Sequence, residues 1–432
     1  MTGIAVTGVR VVDPYAGIDT VADVFVDDAG RFAPPAPRPP GGWDRVDGRG
    51  LWLVPRVVDL HVHFREPGQT HKEDIASGAR AAAAGGVAVV GLMPNTTPVI
   101  DNGPALARVL SRVAEVGLVS AWGIGAVTVG SRGQDAAEWD KMRQAGARAF
   151  SDDGRSVASS RVMAAVLAFS AQHGTPVIQH LEDPELARGG AAHDGAVARR
   201  LGLAGMPAAA ESVMAWRDVG LLRAYGGRLH FAHCSVPDTL AALGWARAQG
   251  AEATGEAAPH HLLLTDDALA EWHPTGIAKV NPPLRPQAMR DALRQAVERG
   301  VVTVVASDHA PHAADEKAGA FGAAPFGISG IETLLGVLLT VFHHERRLRP
   351  LDLMRLVTRG PHEVVGESYP GVAAGARADF TLIDPDAAWR VDPARFQSRG
   401  TNTPLAGQIL YGRVVATVHA GRFTFREGQV VA

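Results

Sequence analysis

The segment Asp59-Leu-His-Val-His-Phe-Arg-Glu-Pro-Gly68 carries the most structural information in this chain of 432 residues. Its two histidines, His61 and His63, are two positions apart in an apolar run, Val57–Val62, that predicts a buried β-strand. Side chains alternate between the faces of a strand, so both imidazoles point the same way. Arg65 follows closely. Half of a metal site with an adjacent anion-binding group is therefore predicted, and further ligands should follow downstream.

Composition is that of an ordinary globular enzyme, with 46% hydrophobic and 20% charged residues. The formal net charge of −3 favours neither a nucleic-acid partner nor an acidic membrane surface. The single cysteine, Cys234, excludes an internal disulfide framework and fits a reducing compartment. Residues 1–12 lack the basic start and apolar core of a secretory signal, and the apolar run Ala81–Asn95 is shorter than the ~20 residues that span a bilayer. We therefore predict a soluble, cytoplasmic protein.

Short apolar runs alternate with Ala-rich amphipathic stretches from Pro55 onward. The eight predicted strands are Val57–His61, Val87–Met93, Val119–Ala126, Ala147–Phe150, Pro176–Gln179, Arg228–Ala232, Ala251–Thr254 and Val301–Ala306. The predicted helices are Lys72–Ala84, Pro104–Ala114, Ser159–Gln172, Pro207–Tyr225, Val236–Ala248, Gln287–Glu298, Ser329–His344 and Leu351–Val357. This alternation predicts the α/β class and a closed (β/α)8 TIM barrel. The alternative is an open doubly wound sheet.

The two ends of the chain have a different texture, with short strand-like runs broken by glycine and proline. Residues 1–54 include the segment Pro34–Pro40, which can be neither a helix nor a central strand. Strand-like runs return after Gly371. We predict that residues 1–54 and 371–432 pair into one small β-sandwich domain beside a barrel formed by residues 55–370.

Polar residues lie where the predicted barrel strands end, which is where (β/α)8 enzymes place their active sites. These residues are His61, His63, Arg65, Asn95, Asp152, Asp153, His180, His233, His260, His261, Asn281, Arg285, Asp308 and His312. Imidazoles with carboxylates are the donor set of zinc, or of manganese or cobalt in its place. A bound metal makes hydroxide available near neutral pH, and Asp308, at the end of the last strand, is the natural carrier of its proton. One metal or a bridged pair would fit.

Six motifs in these positions resemble the bacterial class-I dihydroorotases of the amidohydrolase superfamily. Besides residues 59–68, they are Met93-Pro-Asn-Thr96, Ser151-Asp-Asp-Gly154, Pro259-His-His-Leu262, Asn281-Pro-Pro-Leu-Arg285 and Ser307-Asp-His-Ala-Pro-His312. The resemblance covers the barrel and the flanking β-domain. It implies reversible cyclisation of N-carbamoyl-L-aspartate to L-dihydroorotate and water, the third step of pyrimidine synthesis.

The resemblance also implies roles for individual residues. One zinc would be held by His61, His63, Asp153 and Asp308, and Asp153 would bridge to a second zinc held by His180 and His233. Asp308 would be the general acid/base. The substrate would be bound by His63, Arg65, Asn95, Asn281, His312, Phe326 and Gly327.

Two positions separate this chain from the patterns of its relatives. Some relatives bridge their metals with a carbamylated lysine after the fourth strand, but residues 147–155 contain no lysine, so an aspartate is expected there. Spacing alone does not choose between Asp152 and Asp153, and the resemblance favours Asp153. Arg56 stands where the family usually has glycine. We expect an altered turn at Arg56 and unchanged chemistry.

Other polar residues receive structural interpretations. We expect Asp59 to orient an imidazole and His309 to point away from Asp308. For Arg285 we expect an ion pair, with substrate contact as the alternative. Glu182 and Asp183 are interpreted as caps of the segment that follows them. His260 and His261 are interpreted either as structural residues or as residues that contact the metal ligands from outside the site. The remaining histidines, expected to be structural, are His71, His173, His193, His230, His273, His343, His344, His362 and His419. The loop 311–326 is predicted to be a mobile flap, or else a long surface loop.

Three functions remain open at this point. The first is a competent dihydroorotase, which we expect to be a homo-oligomer that can associate with aspartate transcarbamoylase. The second is another cyclic-amide hydrolase, a hydantoinase or allantoinase, which Arg65, Asn95 and the missing lysine disfavour. The third is a non-catalytic scaffold for the transcarbamoylase, which would have lost metal ligands. No ligand is lost here.

Overall fold

The computed structural model describes residues 2–34 and 41–431. The strands at the start of the chain are β1 (Ile4–Asp13), β2 (Ile18–Val26), β3 (Phe32–Ala33), β4 (Asp44–Asp47) and β5 (Trp52–Pro55). Next come β6 (Val58–Val62), β7 (Val89–Leu92), β8 (Ser120–Gly125), β9 (Ala147–Phe150), β10 (Val177–Gln179), β11 (Ala192–His193), β12 (Gly205–Met206), β13 (Arg228–Phe231), β14 (Glu252–Ala257) and β15 (Val304–Val305). The last strands are β16 (Phe380–Arg390), β17 (Ile409–His419), β18 (Arg422–Arg426) and β19 (Gln429–Val430).

Most helices lie between the strands of the central sheet. They are α1 (Ile75–Ala84), α2 (Gly103–Val116), α3 (Trp139–Gln144), α4 (Ser160–His173), α5 (Ala196–Leu201), α6 (Ala209–Tyr225), α7 (Pro237–Ala248), α8 (Pro259–Leu263), α9 (Leu269–Trp272), α10 (Gln287–Glu298), α11 (Ala314–Ala318), α12 (Leu334–Leu338), α13 (Pro350–Arg355) and α14 (Arg359–Val365). Among the described residues, no helix is both long enough and apolar enough to cross a membrane.

The central sheet is a parallel barrel of eight strands. Its order is β6-β7-β8-β9-β10-β13-β14-β15, so each strand pairs with the next barrel strand in the sequence. The two outer strands meet through a parallel bridge between Val62 and His309, and His63 N–H donates to the His309 carbonyl at 2.9 Å. The predicted (β/α)8 class is confirmed, and the open doubly wound alternative is wrong because its strand order would reverse at one point.

Apolar side chains fill the barrel. Val58 and Leu60 from β6, Ile124 from β8 and Ile178 from β10 belong to one fully buried cluster in the interior. A larger cluster packs the helices onto the outside of the strands. Burial on both faces explains why these strands read as continuous apolar runs in the sequence.

The two ends of the chain form a second, largely antiparallel sheet. Its order is β19-β18-β17-β16-β5-β1-β2-β3, with β4 paired beside β1. The ends join where Phe380 in β16 pairs with Pro55 in β5. The pairing of the two ends is therefore confirmed, whereas the boundaries 54/55 and 370/371 stay predictions. Within the predicted loop Pro34–Pro40, residues 35–40 lie outside the described residues.

Arg56 links this sheet to the barrel. Its φ of +36° is in the left-handed region that glycine adopts most readily, in agreement with the glycine usual at this position in the family. The guanidinium donates to Asp379 Oδ2 from Nε at 3.0 Å and from Nη2 at 2.8 Å, and it stacks on the Tyr369 ring. These contacts hold an arginine in a strained turn.

Two predicted helices differ from the structure for local reasons. Helix α1 begins at Ile75 and not at Lys72, because the Asp74 carboxylate accepts the Ser77 N–H at 2.7 Å and caps the first turn. The predicted helix Ser329–His344 is divided into a 3-10 turn, α12 and a π-helical turn from Leu339 to His344. There the Thr340 hydroxyl donates to the Gly336 carbonyl at 2.7 Å and competes with the regular backbone pattern.

Candidate metal centre and active site

Six side chains meet at the carboxyl ends of the barrel strands. They are His61 and His63 from β6, Asp153 after β9, His180 after β10, His233 after β13 and Asp308 after β15. Two sets of three offer ligand atoms that all lie within 4.8 Å of one another. These sets are His61 with His63 and Asp308, and His61 with Asp153 and His233. The structure thus brings together all the metal ligands predicted from the sequence.

Asp153 is at the centre of this cluster. Its Oδ1 lies 3.3 Å from His61 Nε2, 3.5 Å from His180 Nδ1 and 3.6 Å from His233 Nε2. Its Oδ2 lies 3.4 Å from His63 Nε2. One carboxylate therefore faces four imidazoles.

Asp152 points the other way. Its Oδ1 accepts the backbone N–H groups of Val127 at 2.9 Å and Thr128 at 3.0 Å. These hydrogen bonds hold the Asp152 carboxylate against the backbone of residues 127 and 128. Sequence spacing could not decide between Asp152 and Asp153, and Asp153 is the one whose side chain lies in the cluster.

The residues present fit a divalent metal ion. His61 Nε2 and Asp153 Oδ1 are buried and have no hydrogen-bond partner among the described residues. Buried polar atoms nearly always have partners, so unpartnered nitrogen and oxygen atoms that face each other indicate a metal site. Nitrogen and carboxylate donors suit zinc and its first-row neighbours.

The protonation states agree with that interpretation. Burial disfavours the charged Asp153 and Asp308, but the imidazoles around them outweigh burial and hold the pKa of each carboxyl below its usual range. Burial opposes a charge on His180 as well, yet the nearby carboxylates of Asp153 and Glu182 raise its pKa to about 10. A metal ion bound at this site would therefore displace protons from imidazoles.

A buried carboxylate that sequence reasoning missed orients His61. Glu256 Oε1 lies 2.7 Å from His61 Nδ1, and its Oε2 lies 3.1 Å from His230 Nε2. Such a partner fixes the ring and the tautomer of a ligating histidine. The prediction that Asp59 plays this part is wrong, because Asp59 Oδ1 accepts the Ser307 N–H at 2.9 Å.

His63 is oriented by Asn95. Asn95 Oδ1 lies 2.7 Å from His63 Nδ1, and its Nδ2 donates to the Asp153 carbonyl at 3.3 Å. Asn95 thus braces two members of the cluster as well as lining the cavity beside them.

Three residues of the site have left-handed backbone. The φ angles are +58° at Arg65, +30° at His233 and +47° at Asp308. Each such residue costs of the order of 1–3 kcal/mol, and strain of this kind gathers at functional sites. All three side chains line the same cavity.

A cavity of about 200 Å³ opens next to the cluster. Besides the cluster residues His63, Asp153, His180, His233 and Asp308, it is lined by Arg65, Asn95, Gly154, Asn281, Ala310, Phe326 and Gly327. Of the predicted substrate contacts, His312 is not in this lining. The His312 ring lies behind Arg65, with its Nε2 3.4 Å from Arg65 Nη2 and 2.8 Å from the Phe326 carbonyl.

Arg65 supplies the positive charge of the cavity. It is buried, its Nε donates to the Pro311 carbonyl at 3.2 Å, and it lies among the cavity-lining residues. Burial lowers its pKa to about 10, so the guanidinium remains charged at neutral pH. A buried arginine beside a cavity is suited to binding a carboxylate.

Asn281 holds the Glu182 carboxylate beside His180. Its Nδ2 donates to Glu182 Oε2 at 2.6 Å, and Glu182 Oε2 is also 3.5 Å from His180 Nε2. Of the two expected caps, only Asp183 caps, accepting the N–H groups of Glu185 and Leu186 at 3.0 Å.

The other polar residues around the site act mainly in the scaffold. Arg285 pairs with Glu211 at 3.3 Å, which confirms the predicted ion pair. His309 is confirmed to point away from Asp308, since its Nε2 lies 3.3 Å from Glu73 Oε2.

His260 and His261 have different surroundings. His261 Nε2 donates to the Pro282 carbonyl at 2.8 Å and is structural. Burial lowers the pKa of His260 to about 4, although the charge of Asp308 opposes this shift. The neutral His260 ring is therefore close enough to the cluster to interact with Asp308.

The loop 311–326 contains α11 and a buried lysine. Lys317 Nζ donates to the carbonyls of Pro325 and Gly327, both at 2.8 Å. It also donates to the Lys279 carbonyl at 3.3 Å. The loop is thus tied to its own end at the cavity wall, and its mobility stays a prediction.

Comparison with known proteins places this site in context. A family model described as Dihydro-orotase-like matches residues 50–238. A dihydroorotase from Anaeromyxobacter dehalogenans is 43% identical over 426 residues, covering 98% of both chains. One from Pelotomaculum thermopropionicum is 42% identical over 422 residues and also covers 98% of both chains.

Solved structures agree with the fold. An L-hydantoinase from Arthrobacter aurescens has a TM-score of 0.87 at 22% identity and covers 100% of this chain and 98% of its own. A dihydropyrimidinase from Brevibacillus agri has a TM-score of 0.84 at 20% identity and covers 100% and 96%. At this level of identity the likeness concerns the fold alone.

Proposed function

The chain belongs to the dihydroorotase family, and from this premise we propose that it catalyses the reversible conversion of L-dihydroorotate and water to N-carbamoyl-L-aspartate. The observation that carries the proposal is the Asp153 carboxylate, which faces four imidazoles beside a cavity lined by Arg65. A scaffold without activity would have no need of this complete set.

We propose zinc as the ion held by His61, His63, Asp153, His180, His233 and Asp308, with one or two ions per subunit. When bound, such an ion polarises a carbonyl group and lowers the pKa of water to near neutrality. Asp153, which reaches imidazoles on both sides of the cluster, is the group able to bridge two ions.

Ring opening forms a bond between the water oxygen and a ring carbonyl carbon and breaks the bond from that carbon to the ring nitrogen. Asp308, ionised at rest, takes the proton of the attacking water and delivers it to the departing nitrogen. Ring closure follows the same path backwards.

The free carboxylate of the substrate needs a fixed cation. Arg65 supplies a planar guanidinium at the cavity wall, and Asn281 supplies an amide to the same lining. Phe326 and Gly327 offer an apolar face and a close backbone for the ring, while His312 acts from behind Arg65.

Substrate assays separate this function from its nearest alternative. Wild-type protein loaded with zinc should open L-dihydroorotate and should leave hydantoin and allantoin largely unchanged. A preference for hydantoin or allantoin would assign the chain to another cyclic-amide hydrolase. Absence of turnover on all three substrates, with zinc bound, would favour the scaffold.

A variant of the cluster tests the role of the metal. His61→Ala removes a ligand that both sets of three share, so it should abolish ring opening and lower the zinc content. His273→Ala is a matched control, since His273 Nδ1 lies 3.2 Å from two backbone carbonyls of α9 and His273 belongs to neither set of candidate ligands. Full activity in His61→Ala would reject the assignment.

Cellular context is also part of the proposal. We expect a cytoplasmic homo-oligomer that can associate with aspartate transcarbamoylase. Exposed aromatic residues on neighbouring helices, Trp216 and Tyr225 on α6 and Trp245 on α7, support a protein interface. Light scattering of the protein alone and mixed with transcarbamoylase tests both expectations.

A further inference from the structure

A segment far along the chain reaches the mouth of the barrel. Residues 398–402 lie between β16 and β17 of the end sheet, yet Asn402 is buried against the loops that follow β15. The Asn402 carbonyl accepts the Ser329 N–H at 2.8 Å, and the Gly400 carbonyl accepts the Ser329 hydroxyl at 2.6 Å. The segment is therefore fixed to the barrel by its backbone.

The Asn402 side chain connects two walls of the cavity. One wall is the segment Ala310–His312, and the other is the segment Phe326–Gly327. Its Oδ1 accepts the His312 N–H at 2.9 Å, and its Nδ2 donates to the Gly327 carbonyl at 3.1 Å. Gly327 lines the cavity directly, and His312 ends the wall that contains Ala310. The Asn402 amide is therefore one of the links between the two walls, beside the contact of 2.8 Å between His312 Nε2 and the Phe326 carbonyl.

Gly400 shows how closely residues 398–402 approach the cavity wall at Pro311 and His312. A Cβ added there would lie 2.5 Å from the Pro311 Cβ and 2.9 Å from the His312 nitrogen. No side chain fits without moving the wall. Pro311 also accepts a hydrogen bond from Arg65 Nε, so such a movement would reach the cation of the cavity.

We propose that Asn402 is a positioning residue that sets substrate affinity by holding the Ala310–His312 wall against the Phe326–Gly327 wall. It belongs to neither set of metal-binding residues, so its effect is on binding and not on the metal. The inference rests on the proposed function, because it assigns the substrate to the cavity between these walls.

Kinetics on L-dihydroorotate test the inference. Asn402→Ala should raise KM roughly tenfold or more and lower kcat less than about threefold, because a displaced wall weakens substrate placement. Zinc content should not change. Asn402→Asp should also raise KM, since the isosteric carboxylate cannot donate to Gly327.

A second pair of variants tests the same wall without changing a hydrogen-bonding group. Gly400→Ala should raise KM because its methyl group displaces residues 311–312. Gly220→Ala in α6 is the matched control, since a Cβ there meets nothing within 4 Å, and it should leave KM unchanged.

Stability controls exclude a merely structural effect. Asn102→Ala removes the cap of α2, so it should lower the melting temperature and leave KM unchanged. An unchanged KM in Asn402→Ala and Gly400→Ala, or equal losses of kcat and kcat/KM, would overturn the inference. If the wild type fails to open dihydroorotate, the proposed function itself fails, so the two failures are distinguishable.

Discussion

Asp152 and Asp153 are adjacent in the sequence and have separate functions. Asp152 accepts two backbone N–H groups from residues 127 and 128, whereas Asp153 faces four imidazoles. The Asp152 carbonyl accepts the Arg155 N–H at 2.9 Å, so the two aspartates stand at the start of a turn, and only the Asp153 side chain lines the cavity. The chemistry of the centre depends on this local backbone conformation as much as on residue type.

Asp308 is the residue on which proton transfer depends. Asp308→Asn keeps the size of the side chain but cannot accept and return a proton, so kcat for ring opening should fall by about 10²–10⁴-fold. Steady-state kinetics with zinc-loaded protein measure this. Asp392→Asn, at an exposed cap, should retain full activity. A kcat within threefold of wild type in Asp308→Asn would assign the proton to another group.

Glu256 orients a proposed ligand from behind. Glu256→Gln weakens the contact with His61 Nδ1, and loss of such a partner typically lowers metal affinity about 10–100-fold. Competition with a chelator measures zinc affinity. Glu252→Gln, at the exposed start of the same strand, is the matched control and should bind zinc as the wild type does. Equal zinc affinity in both variants would show that Glu256 does not orient His61 for metal binding.

The proposed ligands could be predicted from the sequence, but the groups that orient them could not. His61, His63 and Asp308 occur in recognisable motifs at strand ends. Glu256 comes from β14, a strand that was predicted to end at Thr254, and no motif marks it. Asp59, the nearer carboxylate, is held by a backbone N–H of residue 307.

Strands were easier to predict than the segments that connect them. Parallel strands buried on both faces give unbroken apolar runs, so all eight barrel strands could be found. Short helices such as α3 and α11 have too few residues to show a periodic pattern. The loop 311–326 depends on Lys317, whose carbonyl partners lie up to 38 residues away and are not visible in the sequence.

The turn before α12 contains a partly buried carboxyl, that of Glu332, which should make stability depend on pH. Burial raises the pKa of Glu332 to about 8, although it accepts the N–H groups of Gln397 and Ser398. The folded state then keeps a proton that the unfolded chain loses above its ordinary pKa of about 4.3. The stability due to this proton is present below that value and is lost as pH rises to about 8.

Glu332→Gln should remove this dependence. The free energy of unfolding of the variant, relative to wild type, should rise between pH 5 and pH 8. Urea titrations at both values measure the difference, with Glu298→Gln, whose carboxylate pairs with Arg347 at 2.8 Å, as the control. A relative stability that is constant with pH would show that Glu332 is already ionised in the folded state.

Across the whole molecule, the two ends of the chain support the barrel in different ways. Pairing of β5 with β16 joins the two ends of the chain in one sheet, as the strand-like texture of both ends predicts. The return of Asn402 to the barrel mouth could not be predicted, because its contacts with His312 and Gly327 span 90 and 75 residues. Contacts of that kind follow from the complete fold and not from any local pattern.

The central claim is that stretches from residue 61 to residue 308 fold around bound metal. Diffraction from crystals of zinc-loaded protein, recorded on both sides of the zinc absorption edge, tests it most directly. We expect anomalous density among His61, His63, Asp153 and Asp308, with a second peak toward His180 and His233 if two ions bind. Crystals of fully zinc-loaded protein with no anomalous density among these residues would contradict the account.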